Sequence, residues 1–95
     1  MLGTRFRVLE TLSTPNRTLL ESAKRKSFTI FNDSDTDTIA VSNTYQGFTN
    51  GNYLPLPPNS SIRFYIPDHN PREEYWLCNM TGSSATTRIM EVYAK

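Results

Sequence analysis

The chain has 95 residues, enough for one domain whose core buries roughly 60–65% of the extended-chain surface. Ten Lys and Arg against nine Asp and Glu leave a net charge of +1, which gives no electrostatic case for a nucleic-acid partner, and no window approaches the ~20 apolar residues that span a bilayer. A single cysteine, Cys78, excludes an internal disulfide, and the N-terminus has no apolar stretch of signal-peptide length, so a soluble protein made in the cytosol is the simplest expectation.

In chain order, residues 4–12 alternate in their first half, with Phe6 and Val8 opposite Arg5 and Arg7, as a half-buried or edge strand does. Pro15 ends that run, because proline has no amide hydrogen for a ladder and restrains the residue before it. Residues 17–22 form a weaker candidate strand with Leu19 and Leu20 adjacent. Residues 24–42 read as a β-hairpin. The first arm sets Phe28 and Ile30 against Thr29 and Phe31, the second sets Ile39 and Val41 around Ala40, and the polar residues 32–37 form the turn between them. The basic run Lys24-Arg25-Lys26 at its start is dispersed by strand alternation over both faces, so it makes no continuous phosphate-binding stripe.

Residues 44–59 are punctuated by Gly47, Gly51, Pro55, Pro57 and Pro58, which rules out a long helix, and Asn50-Gly51 is a turn dipeptide whose glycine can take positive φ. This connection carries Tyr45, Phe48, Tyr53, Leu54 and Leu56, which either cap an open end of the fold or reach a partner. Residues 60–66 then alternate, with Ile62, Phe64 and Ile66 opposite Arg63 and Tyr65. After a turn at 67–71, residues 74–79 place Tyr75 and Leu77 opposite Trp76 and Cys78. A Gly-Ser turn leads to a long closing strand with Thr87, Ile89, Glu91 and Tyr93 opposite Arg88, Met90 and Val92. Short strands at roughly 8–12-residue spacing predict an all-β fold, a small antiparallel β-sandwich of jelly-roll or immunoglobulin-like type with about six to eight strands and little or no helix.

No constellation carries catalysis. Asp33, Asp35 and Asp37 have the spacing that opens a calcium loop, but Thr38 and Thr44 stand where an EF-hand needs its glycine and closing glutamate, so the aspartates are expected to hold a turn. His69 is the one histidine, in a proline-bounded turn, while Cys78 falls inside a strand, so a thiolate pair is not expected. Glu73 and Glu74 are adjacent and diverge on a strand. The expectation is therefore no catalytic, cofactor-binding or metal residue, and not an enzyme. Tyr45, Phe48, Tyr53 and Trp76 are the candidate partner-binding residues, able to stack on a sugar ring or a base, although a tryptophan beside Cys78 on a strand also fits the core and the net charge argues against nucleic acid.

The run of a basic residue into SFTIFNDS, the strand TIAVS, the loop with Gly51, then LPLPPNSSIRFYIP, EYWLCN, a Gly-Ser turn and TTRIMEVY resembles small β-sandwich virion proteins of tailed bacteriophages. Asn59 stands near where members of that group carry a glycine. The resemblance implies a structural protein of the virion, made in the host bacterial cytoplasm: a head decoration or cement protein, or a base for fibres. Its partners would be other virion proteins, with a homo-oligomer expected and neither nucleic acid nor membrane. Residues 1–22 are expected to form an N-terminal strand or arm that either adds a strand to a neighbouring subunit or lies along the capsid, because exposed strand edges recruit partners, and residues 23–95 the β-sandwich domain. The alternative is a carbohydrate- or host-surface-binding module of a fibre or tail, with the four aromatic residues as platforms.

Overall fold

The computed structural model describes residues 1–65 and 69–95. Ile66, Pro67 and Asp68, expected at the end of one strand and the start of a turn, lie outside the described residues. Among the rest are eight strands, β1 (Leu2–Leu12), β2 (Asn16–Leu19), β3 (Arg25–Asn32), β4 (Ile39–Ser42), β5 (Leu54–Leu56), β6 (Ser61–Tyr65), β7 (Tyr75–Asn79) and β8 (Ser84–Ala94), with one short helix, α1 (Gly47–Asn50). They form two four-stranded antiparallel sheets in the orders β1-β8-β3-β6 and β2-β7-β4-β5. Successive strands cross between the sheets in the wrapping order of a jelly roll, which settles the choice left open between jelly-roll and immunoglobulin-like topology.

That wrapping corrects the expected hairpin. β3 pairs with β6 and β8 in one sheet, while β4 pairs with β5 and β7 in the other. The polar turn between them is real: Ser34 Oγ accepts from the amides of Thr36 and Asp37. It turns the chain from one layer to the other because both β3 and β4 have an apolar face to bury, and facing layers satisfy that need as well as neighbouring strands do. β4 and β5 are the sequential strands that do pair, through the register Ile39↔Leu56 and Val41↔Leu54. β5 lies within the glycine- and proline-punctuated connection expected over residues 44–59, and it is a sheet edge, where Pro55 is tolerated.

The core lies between the layers. Phe28 and Ile30 from β3, Ile39 and Val41 from β4, Leu77 from β7 and Ile89 from β8 are all buried. At one end Phe28 stacks on Phe64 at 4.7 Å, and Tyr75 packs against both rings at 5.0 Å. The Tyr75 hydroxyl donates to the Asn70 carbonyl at 2.7 Å, which satisfies the polar tip of an otherwise buried ring. Fully buried Asn32, at the end of β3, donates from Nδ2 to the carbonyls of Asp37 and Leu56 at 2.8 and 3.0 Å, tying the crossover turn to β5.

Two residues in the left-handed region shape the loops. Gly51, with φ 87°, ends α1, as the Asn-Gly dipeptide predicts. Asn59 has φ 57°, a conformation that asparagine tolerates better than most residues.

Residues 1–22 supply strands to both sheets of the chain's own sandwich: β1 pairs with β8 over eleven residues without a break, and β2 pairs with β7 across a register shift.

Candidate functional site

β1 has an unexpected orientation. Its pairing with β8 sets Arg5 beside Glu91, Arg7 beside Ile89 and Leu9 beside Thr87, so the arginines are in phase with the inward residues of β8. Phe6 and Val8 consequently face outward, 74% and 60% exposed. An amphipathic reading places the apolar residues of such a strand inside, and the buried Glu91 reverses that choice. Its Oε1 lies 3.2 Å from Arg5 and 3.1 Å from Arg7, and its Oε2 lies 3.3 Å from Arg25. Arg25, only 4% exposed, donates further to the carbonyls of Leu20, Pro71 and Glu73. Its guanidinium also sits 5.7 Å from the centre of the Phe28 ring. One buried carboxylate therefore holds three cations at an end of the sandwich, beside a cleft of about 570 Å³ that Arg17 and Lys24 also line. The available sequence signal was Glu91 itself, an acid in phase with the core residues Thr87 and Ile89, which needs a counter-charge inside.

The outer face of the same sheet is apolar where β1 crosses it. Phe6 lies opposite Met90, which lies opposite Thr29 of β3, and Val8 lies opposite Arg88, which lies opposite Phe31. Phe6, Val8, Phe31 and Met90 line a shallow cleft of about 310 Å³ whose walls are nearly all carbon. Leu2 and Leu12, both exposed, extend this face to the ends of the strand. β1 is an edge of its sheet, so among the described residues no strand lies beside one side of its backbone.

The predicted aromatic residues fall into two pairs. Tyr45, 49% exposed, meets half-buried Trp76 edge-on at 5.4 Å, on the outer face of β7. Phe48 on α1 and Tyr53 after Gly51 have ring centres 6.3 Å apart and planes 30° apart, both half-buried. Gly47 lets α1 approach β4 closely, because a β-carbon there would overlap Ser42 Oγ and stand 2.6 Å from the Asn52 carbonyl. Trp76 thus faces away from the core, whereas its neighbours Tyr75 and Leu77 face into it.

The other polar groups serve the scaffold. Asp33 pairs with Arg88 at 2.8 Å, Asp35 accepts from Asn59 at 3.0 Å and Asp37 accepts from Asn79 at 2.9 Å, so the three carboxylates go to three different partners. His69 Nδ1 accepts from the Tyr65 amide at 3.2 Å. The Cys78 thiol donates to the Ser13 carbonyl at 3.2 Å, and burial pushes its pKa up, away from thiolate. Among the described residues no three His, Cys, Asp or Glu side chains gather as metal ligands, and no helix is long and apolar enough to cross a membrane.

The fold is thus that of a small jelly-roll protein rich in β-structure. No known protein family matches the chain by sequence, and no curated protein matches it. Among solved structures it is similar to a chain of the Bacillus endospore appendages, described as a novel family of disulfide-linked pili. The TM-score is 0.58 at 10% identity, over 99% of this chain and 87% of the other.

Proposed function

We propose that the protein is a non-enzymatic structural subunit that assembles with copies of itself. The observation that carries this reading is the outer face of β1, where large apolar side chains stand exposed along an eleven-residue sheet edge. Monomeric proteins rarely leave such an edge open, since it recruits further strands. Within that class the reading is a bacteriophage virion protein, a head decoration, cement or fibre-base subunit made in the host bacterial cytoplasm. It is supported by the motif resemblance, from which Asn59 departs, and by a jelly roll, an architecture common among viral capsid proteins. A pilus-type filament is the related reading drawn from the Bacillus appendage subunit. Covalent linkage in the manner of those pili does not suit this chain, because one cysteine per subunit can bridge a pair but cannot continue a polymer.

Light scattering over a concentration series, with electron microscopy of the purified protein, tests the proposal. Defined oligomers are expected, and replacing Phe6 and Val8 by lysine shifts them to monomer. A monomer at every concentration, together with glycan binding abolished by Trp76→Ala, would instead favour a carbohydrate- or host-surface-binding module.

A further inference from the structure

We infer that β1 pairs antiparallel with β1 of a second copy, about a twofold axis passing at Arg7, to join the two copies through one eight-stranded sheet. This rests on the reading of the protein as a self-assembling subunit.

Of the four sheet edges, three are poor sites for pairing. β2 has four residues and a register shift, β5 has three residues with Pro55 at its centre, and β6 has five residues with Arg63 at its centre. β1 runs eleven residues in unbroken register and contains neither lysine nor proline, which are two devices that keep an edge from pairing. Inward-pointing charges are a third such device, and β1 has them in Arg5 and Arg7. Both are matched by Glu91, and Arg7 also donates to the Thr18 carbonyl at 3.1 Å, so each guanidinium is engaged within its own copy.

The hydrogen-bond phase identifies the backbone groups at the free edge. Lys95 N donates to Met1 O, whereas Ala94 N is turned to the other side, to Lys24 O. Antiparallel pairs alternate between bonded and non-bonded residues, so the odd positions of β1 bond to β8. Leu2, Thr4, Phe6, Val8, Glu10 and Leu12 therefore turn their amides and carbonyls outward.

A second β1 can bond to these groups only in a register that sets even positions against even positions. With the axis at Arg7, Leu2 meets the second copy's Leu12, Thr4 meets its Glu10 and Phe6 meets its Val8. At these even positions apolar faces apolar, and a hydroxyl faces a carboxylate. Moving the axis to Phe6 sets Leu2 against Glu10 and Thr4 against Val8, and moving it to Val8 sets Phe6 against Glu10. On its outer face the strand's polarity is symmetric about its midpoint, as an isologous contact requires, and on the inner face the two Arg7 side chains meet at the axis, each beside Glu91 of its own copy. The pairing also joins the two Phe6–Met90 clefts across the axis into one apolar band.

The register is tested by disulfide trapping in a Cys78→Ala background. Thr4→Cys and Glu10→Cys are purified separately, checked for native circular dichroism and oxidised alone and mixed. Opposed residues stand about 5.5 Å apart, within reach of a disulfide, whereas the two copies of position 4 stand roughly 20 Å apart. A linked dimer is expected in the mixture and in neither variant alone. Spin labels at position 4 in a dimer provide a second reading, with a separation near that same ~20 Å set by six residues of strand offset. Links within a single variant, or association by light scattering without the mixed link, would overturn this interface and leave self-assembly standing. A protein monomeric at all concentrations overturns both.

Discussion

Glu91→Gln tests the charge cluster that orients β1. The change keeps size and shape but removes the one negative charge shared by Arg5, Arg7 and Arg25. At 3.3 Å and an effective dielectric near 20, the Glu91–Arg25 attraction amounts to about 5 kcal/mol. Part of it is recovered on substitution, because Glu91 itself no longer has to be desolvated and Arg25 keeps its three carbonyl acceptors. Leaving a buried cation without its partner typically costs about 3–5 kcal/mol, and these acceptors place the expected loss near the lower figure, about 3 kcal/mol. That is a large share of the ~5–15 kcal/mol available to a domain of this kind. Urea unfolding followed by circular dichroism, at one fixed protein concentration because the proposed assembly would add stability, measures the loss as a shift in midpoint at constant slope. Arg5→Ala is the internal comparison: its side chain is more than half exposed, so its loss is about 0–1 kcal/mol. A Glu91→Gln loss below about 1 kcal/mol would show that the cluster does not hold β1, and the reasoning from Glu91 to the strand's orientation would fall.

Asn32→Leu removes a donor shared by the carbonyls of Asp37, Leu56 and Pro57, of which the Leu56 bond is buried, and a loss of about 2–4 kcal/mol is expected in the same unfolding experiment. Gly47→Ala places a methyl group against Ser42 Oγ and the Asn52 carbonyl, breaking the 3.0 Å bond between them, and should cost about 1–3 kcal/mol while shifting Trp76 fluorescence little. Burial pushes the pKa of both Tyr75 and Cys78 up, from model-compound values of 10.0 and 9.0. The folded state thus holds their protons more tightly than the unfolded chain does. Their contribution is complete below pH 9 and is lost as pH rises through 9 and 10 toward the higher folded values, so the melting temperature should fall in that range. Cys78→Ala should make the fall begin at higher pH, which a melting series between pH 8 and 11 reads directly.

The layered β-fold was legible because alternation with period two survives in β3, β6, β7 and β8, whose inward residues Phe28, Phe64, Tyr75 and Ile89 follow the expected phase. The pairing of β3 was not legible. A polar turn reverses the chain equally well into a neighbouring strand or into the opposite layer, and the choice depends on long-range partners β6 and β8. The aromatic residues were visible as a group, but their division into Tyr45–Trp76 and Phe48–Tyr53 depends on the close approach of α1 to β4 at Gly47. In β1, alternation separated arginine from phenylalanine without saying which side faces in, since that depends on Glu91, eighty-six residues away from Arg5.

The charge cluster and the exposed apolar face are consequences of one structural choice. Because side chains alternate along a strand, placing Arg5 and Arg7 inside necessarily places Phe6 and Val8 outside. A slip of one residue would bury both apolar groups, each worth about 1.5–3 kcal/mol, and free both arginines into water. For an isolated subunit that register has a clear hydrophobic advantage. Glu91 opposes it, because a buried carboxylate left with Arg25 alone would lose two of its three cations. The sequence therefore uses an ion cluster to keep a hydrophobic strand face in solvent. In a monomer this arrangement forfeits stability, whereas in an assembly that covers β1 the same apolar area is recovered between subunits. Under the proposed self-assembly, the inverted strand is an interface held ready by the charges behind it.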